Sequence, residues 1–389
     1  MIRKITNGKI ITDTLNEGKN LYFDDKVIVD ITEKDLPADE AIDANGNYVS
    51  AGFIDIHTHG GGGSEFMDGS KEAVIDACRI HLKHGTTSIY PTTLSSSPDI
   101  LFEALHDIKE AMENEPDDVP HIMGAHLEGP YFSLNQSGAQ NPKYITPPIK
   151  EDYEKALEIG KGVIKRWSFA PELSYTDEFM DFLNEHGIVA SIAHSDATYK
   201  DVKRVYDKGL RLATHLYSGM STITRVGGFR VLGAIESCLL LDDMMVETIA
   251  DGCHLPPELL KLIYKTKGAD NICLVTDSMR AAGQNVKETV IGSRGQGMAC
   301  IVEDGVAKLP DRTAFAGSVA TADRLIRTFY KDAGVDIVNT VKMMTVNPAK
   351  IMKLASKGKL EKGYDADIVI FDDNINIKNV FKSKNKVLL

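Results

Sequence analysis

The chain has 389 residues, 43% of them hydrophobic and 26% charged, a globular balance that argues against disorder and suits one large domain with a smaller companion. A formal net charge of −12 disfavours nonspecific binding to nucleic acid or to an anionic membrane, so an anionic ligand would need a local cluster of positive groups. The opening "MIRKITNGKI" carries no secretory-signal pattern and no apolar run is long enough to cross a bilayer, which sets the expectation of a soluble, cytoplasmic protein.

In chain order, residues 1–50 read as short strands such as "KIITDTL" and "DKVIVDI", separated by Gly, Asn and Asp. From Phe53 onward short apolar runs alternate with helical patterns. The runs are "FIDIH", "TTSIYPT", "IMGAHLE", "IKRWSFA", "IVASIAH", "LATH", "VETIAD" and "ICLVTD". Between them lie stretches such as "KEAVIDACRIHLKHG" and "DEFMDFLNEHG", apolar at helical spacing and closed by His-Gly, a helix-stop signal. This alternation predicts a (β/α)8 TIM barrel over residues 51–350. After the eighth run come a Gly-rich insertion, "IGSRGQGMACIVEDGVAKLPDRTAFAGS", and two helical segments. Residues 351–389 return to β texture in "DADIVIFDDNINIKNVF", and with residues 1–50 they are expected to form a small β-sandwich domain from both chain ends. The five cysteines are scattered and never in a CxxC pair, which favours reduced thiols over a disulfide framework or thiolate zinc site.

In such a barrel, polar residues that end the strands converge on one mouth. His57 and His59 end the first run, Glu128 the third, His194 the fifth, His215 the sixth and Asp277 the eighth. Imidazole with carboxylate suits zinc, iron, manganese or cobalt, and a glutamate among four histidines can bridge two ions. Each piece alone has a bland reading: a core or solvated histidine, Glu128 beside a helix start in "LEGP", Asp277 capping a helix near "SMRAAG". Their shared placement at strand ends is what weighs against those readings. His126, on the same side of its strand as Glu128, reads as a support for the ligands. The four glycines after His59 are expected to let the backbone pass close to the metal without Cβ clashes.

HxH after strand one, Glu after three, His after five and six, and Asp after eight resemble the pattern of the amidohydrolase superfamily. "AGFIDIHTHG", "HLEGP", "GAQNP", "IAHSDAT", "THLY", "IADGCHL", "LVTDSMRAAG" and "FAGS" resemble, in order, the blocks of its N-acetylglucosamine-6-phosphate deacetylase family. The resemblance covers essentially the whole chain. It implies one or two divalent metals, zinc first, with Glu128, His194 and His215 holding the main one and His57 and His59 a second, Glu128 lying between. It implies Asp277 as general base and metal neighbour. It also implies that Gly138, Ala139, Gln140, Ser218, Gly219, Arg225, His254, Ala316 and Gly317 meet a phosphorylated amino sugar. There the phosphate would meet the Ser218 and Gly219 amides and an arginine, Arg225 or alternatively Arg230, reaching across a homodimer. Two departures stand out: Ser218-Gly219 replaces the family's Asn-Ala, and "STITRVGGFRVLGAI" departs from its Arg-Glu phosphate loop. They keep open another N-acyl amino sugar, such as N-acetylgalactosamine 6-phosphate, or a cyclic amide. A barrel serving only as a scaffold is the remaining alternative, against which the intact set of six donors argues.

Overall fold

The eightfold alternation of apolar run and helix closes into a parallel barrel in the computed structural model, which describes residues 1–293 and 297–384. The strands are Phe53–Thr58, Thr86–Thr93, a third interrupted as His121–Ile122 and Ala125–Glu128, Ile164–Phe169, Val189–Ile192, Leu212–Ala213, Met245–Thr248 and Ile272–Leu274. Each pairs in parallel with the next. The first and eighth are joined near the mouth by the Asp277 N–H, which donates to the His57 carbonyl at 2.9 Å, and by the His59 N–H, which donates to the Ser278 carbonyl at 2.8 Å. At the other end the Met343 and Met344 carbonyls take the Leu274 and Ile54 N–H groups, plugging the seam.

The helices follow from their spacing and caps. Lys71–Lys83 starts on Ser70, whose hydroxyl accepts the Ala73 N–H, and buries Val74, Ala77, Cys78 and His81 on one face. Its His84-Gly85 stop holds, with Gly85 at φ +92 and packed so close that a Cβ would lie 2.6 Å from the Phe53 ring. Thr176–Glu185 ends the same way at His186-Gly187. Outside the barrel, Trp167, Phe169, Phe179 and Leu183 belong to one continuous apolar cluster. Each such large side chain stabilises the fold by roughly 1.5–3 kcal/mol when fully buried.

Both chain ends build two further sheets. One runs in the order Ile28–Thr32, Asn20–Phe23, Arg3–Thr6, Glu40–Asp43; the other in the order Ile377–Phe381, Ile368–Phe371, Tyr48–Ala51, Lys9–Ile11, Leu15–Asn16. Ile5, Leu21, Phe23, Val49, Ile368 and Ile370 from the two sheets share one apolar core, a small sandwich beside the barrel.

The stretch after the eighth strand differs from its Gly-rich reading. It is an antiparallel sheet of Glu288–Ile291, Met298–Glu303, Val306–Lys308 and Phe315–Ser318; residues 294–296 of the insertion lie outside the described residues. Among the described residues three α-helices follow rather than two, Ala322–Arg327, Ile337–Lys342 and Val346–Ile351, the first running into a π-turn at Thr328–Asp332. No helix of the described residues is long and apolar enough to cross a membrane.

Candidate active site

The six donors predicted at strand ends meet at the barrel mouth, and all six are buried. Glu128 lies at their centre. Its Oε1 faces His215 Nε2 at 2.8 Å and His194 Nε2 at 3.2 Å; its Oε2 faces His59 Nε2 at 3.2 Å. Asp277 Oδ1 lies 3.1 Å from His59 Nε2 and 3.4 Å from His57 Nε2. Strand geometry alone does not deliver this. The fifth, sixth and eighth strands end two or three residues early, and His194, His215 and Asp277 follow in left-handed backbone at φ +45, +24 and +44. Such conformations cost of order 1–3 kcal/mol each and persist where surrounding structure enforces them. Gly219, at φ +57, leaves room for one of these rings, since a Cβ there would lie 2.7 Å from His194 Nδ1.

For three of the rings the tautomer follows from the far side. His194 Nδ1 sits 2.7 Å from the Gln136 carbonyl, His59 Nδ1 3.2 Å from the Thr92 carbonyl, and His57 Nδ1 3.2 Å from Glu247 Oε2. Those oxygens only accept, so each Nδ1 carries the proton and each Nε2 turns a lone pair on the carboxylates of Glu128 and Asp277. Lone pair facing lone pair is stable only with a cation or a proton between. His57 Nε2 has no hydrogen-bond partner although wholly buried. The donor set therefore fits a divalent metal. Three overlapping groups, His57/His59/Glu128, His57/His215/Asp277 and Glu128/His194/His215, each place their ligand atoms within 4.8 Å of one another. With protons as the only cations, burial pulls the His57 and His59 pKa values down, but the carboxylates of Asp277 and Glu128 outweigh it and raise them to about 9 and about 10. Against its own burial, Asp277 is drawn down to about 2 by His57 and His59.

Above the donors lies an open cavity lined by Gly138, Ala139, Gln140, Ser218, Gly219, His254 and Gly317 of the predicted contacts, and by Leu94, Ile291, Ala314 and Phe315, which the sequence reading did not single out. Ile291, Phe315 and Gly317 come from the inserted sheet, so that sheet is one wall of the site. Gln140 bridges: its Nε2 donates to Glu128 Oε2 at 2.7 Å and its Oε1 accepts the Ser95 N–H at 2.7 Å. His254 is held by Asp251, whose Oδ2 lies 2.8 Å from Nδ1 and whose Oδ1 accepts the Cys253 and His254 N–H groups. The helix beyond it starts at Pro257, with Pro256 rather than His254 at its N-cap. Nor do Glu128 and Asp277 cap helices; their side chains are spent on the histidines. His126 has both ring nitrogens engaged, 2.6 Å from Ser168 Oγ and 3.3 Å from Thr92 Oγ1, and packs edge-on to His57.

Three expectations are corrected. Ala316 does not reach the cavity: on a pleated strand it faces away from Phe315 and Gly317 into the apolar core of the inserted sheet. The Ser218 N–H is committed to the His215 carbonyl at 3.0 Å and is not offered to a ligand. Arg225 and Arg230, expected to reach a neighbouring subunit's site rather than their own, lie outside this chain's cavity on an exposed ribbon of Thr224–Val226 and Phe229–Val231 turned by Gly227-Gly228. The glycines after His59 serve packing rather than the metal. Gly60 and Gly61 pair with Glu65 and Ser64 in a tight hairpin, and a Cβ at Gly61 would lie 2.5 Å from Ile80 Cγ2 of the following helix.

Comparison with known proteins agrees with this geometry. The amidohydrolase family model matches residues 48–388. N-acetylglucosamine-6-phosphate deacetylase of Lysinibacillus sphaericus is 33% identical over 344 residues, covering 88% of this chain and 86% of that one. The crystal structure of N-acetylglucosamine-6-phosphate deacetylase from Pasteurella multocida superposes with a TM-score of 0.89 at 29% identity, covering 98% of both chains. A mutant of the Mycobacterium smegmatis enzyme in complex with N-acetyl-D-glucosamine-6-phosphate gives a TM-score of 0.89 at 26% identity, covering 100% of this chain and 99% of that one. The chain belongs to the amidohydrolase family.

Proposed function

We propose that this amidohydrolase removes the N-acetyl group of N-acetylglucosamine 6-phosphate, giving glucosamine 6-phosphate and acetate. The observation that carries the reading is the Glu128 carboxylate set between His59 on one oxygen and His194 with His215 on the other, beside Asp277. Glu128, His194 and His215 would hold one divalent ion and His57, His59 and Glu128 a second, zinc being the first choice for an imidazole and carboxylate set. When bound, such an ion supplies hydroxide near neutral pH and polarises the amide carbonyl. Asp277 Oδ1 takes the proton of the attacking water and returns it to the departing sugar nitrogen, so that amide and water become amine and acetate. His254, fixed by Asp251, presents Nε2 to the sugar, and Phe315 and Ile291 form one apolar wall beside it.

Among the described residues no arginine or lysine lines the cavity, and the cationic partner of the phosphate is taken to be an arginine of a neighbouring subunit. Arg225 and Arg230 are cross-strand partners and share one face of the exposed ribbon; Val226 and Phe229 share the other, 63% and 79% exposed. A homodimer would cover the apolar face and carry the cationic face to the neighbouring mouth. The proposed setting is cytoplasmic amino-sugar catabolism. Chelation should abolish acetate release from the phosphorylated sugar while far-UV dichroism persists, and added zinc should restore it. Full activity in protein shown by elemental analysis to be free of metal would refute the mechanism.

A further inference from the structure

Behind His57 the barrel interior holds a charge pair that the reaction does not use. Arg166 from the fourth strand and Glu247 from the seventh are both wholly buried, and an Arg166 Nη1–H donates to Glu247 Oε1. Glu247 Oε2 then accepts from His57 Nδ1 at 3.2 Å and from the His215 N–H at 3.2 Å. The remaining Arg166 donors reach the Ile56 carbonyl at 3.2 Å, Ser191 Oγ at 3.1 Å and Thr214 Oγ1 at 2.8 Å. Ile56 and Thr214 immediately precede His57 and His215. The pair thus touches the backbone or ring of a donor from each of the two ligand groups.

Core stability is a poor reason for such an arrangement. Two charges taken wholly out of water cost several kcal/mol each, and apolar residues of similar volume are often as good or better. What the pair does supply is a fixed, charged acceptor for one imidazole N–H. His57 is the donor whose Nε2 is left without a hydrogen-bond partner, and its ring direction is set by what Nδ1 binds. We propose that Glu247, held in place by Arg166, is the positioning residue that aims His57 Nε2 at a metal in the His57/His59 site, and so governs whether the second ion is held. This rests on the two-metal reading above.

The test uses full-length protein, stripped of metal and titrated with cobalt(II), followed by visible absorption and by elemental analysis. Wild-type protein should bind two ions. Glu247→Gln keeps the volume and an acceptor oxygen but loses the charge; it should weaken one ion by about 10–100-fold, the usual cost of removing such a partner, and leave the other intact. Its titration should approach that of His57→Ala. The double variant Arg166→Met/Glu247→Leu removes the pair without leaving a lone buried charge, so it should melt near the wild-type temperature and still lose the same ion. Should the double variant not fold, Glu247→Gln decides alone. Two ions at wild-type affinity in folded variants overturn the proposal while leaving the two-metal reading in place. Equal weakening of both ions by Glu247→Gln with a lowered melting temperature also overturns it, because that is the pattern of a general structural role. A wild-type protein with one ion overturns the two-metal reading and this proposal with it.

Discussion

Asp277 faces His57 and His59 from a left-handed turn, and asparagine keeps its shape while removing the proton acceptor. Asp277→Asn should therefore lower kcat by roughly 10²–10⁴-fold with KM little changed. Steady-state kinetics check this, and near-normal turnover would remove Asp277 from the role. The histidines give a second expectation. In metal-free protein His57 and His59 titrate at about 9 and about 10, above the ordinary 6.5 of an unfolded histidine. A raised folded-state pKa contributes stability that is complete below the unfolded value and lost as pH rises through the folded one. The melting temperature of metal-free protein should thus fall between pH 7 and pH 10, while metal-loaded protein, whose lone pairs are engaged, holds its value. Equal melting of metal-free protein at both pH values would contradict the site electrostatics. The six donors were legible in sequence because each follows an apolar run. The left-handed turns that aim three of them were not, since no local pattern marks histidine or aspartate for that conformation. Arg166 and Glu247 went unremarked inside "IKRWSFA" and "VETIAD"; a charge within a strand buried on both faces was the available signal.

The ribbon at Thr224–Val231 is the element on which the proposed link between substrate and homodimer depends. Its two arginines share a face, so Arg225→Ala should raise KM for the phosphorylated sugar, by about 2–5 kcal/mol where the pair is desolvated, and leave an unphosphorylated N-acetyl sugar unaffected. Phe229→Asp, on the opposite apolar face, should shift the protein toward monomer in sedimentation. A monomeric wild-type protein that still prefers the phosphorylated sugar would contradict this account of the ribbon. The sequence showed that this loop departs from its relatives but not that it is a hairpin, because its three-residue strands are too short for a period-two signal. The inserted sheet was hidden for a similar reason: its strands, three to six residues long, are separated by Gly, Asp and Pro and read as loop. Their pairing with one another is what makes them strands. Consequently Ile291 and Phe315, walls of the cavity, were missed, while Ala316 was assigned to the wrong face of its strand.

At the scale of the whole molecule the barrel was legible because eight apolar runs recur with helices between them, and the sandwich because both ends share one β texture. Sequence periodicity says nothing of the reaction, since barrels of this kind host many chemistries. The reaction comes from the donors at the mouth and from similarity to N-acetylglucosamine-6-phosphate deacetylases across nearly the whole chain. A chain with net charge −12 repels an anionic sugar at long range, so preference for one must come from local groups and must show in the kinetics. The most direct measurement is acetate release by zinc-reconstituted protein from N-acetylglucosamine 6-phosphate, N-acetylgalactosamine 6-phosphate and unphosphorylated N-acetylglucosamine side by side. Highest kcat/KM on N-acetylglucosamine 6-phosphate, falling for the epimer and further without the phosphate, is the predicted result. Equal kcat/KM on the phosphorylated and plain sugars, or no acetate from any of the three, would contradict it.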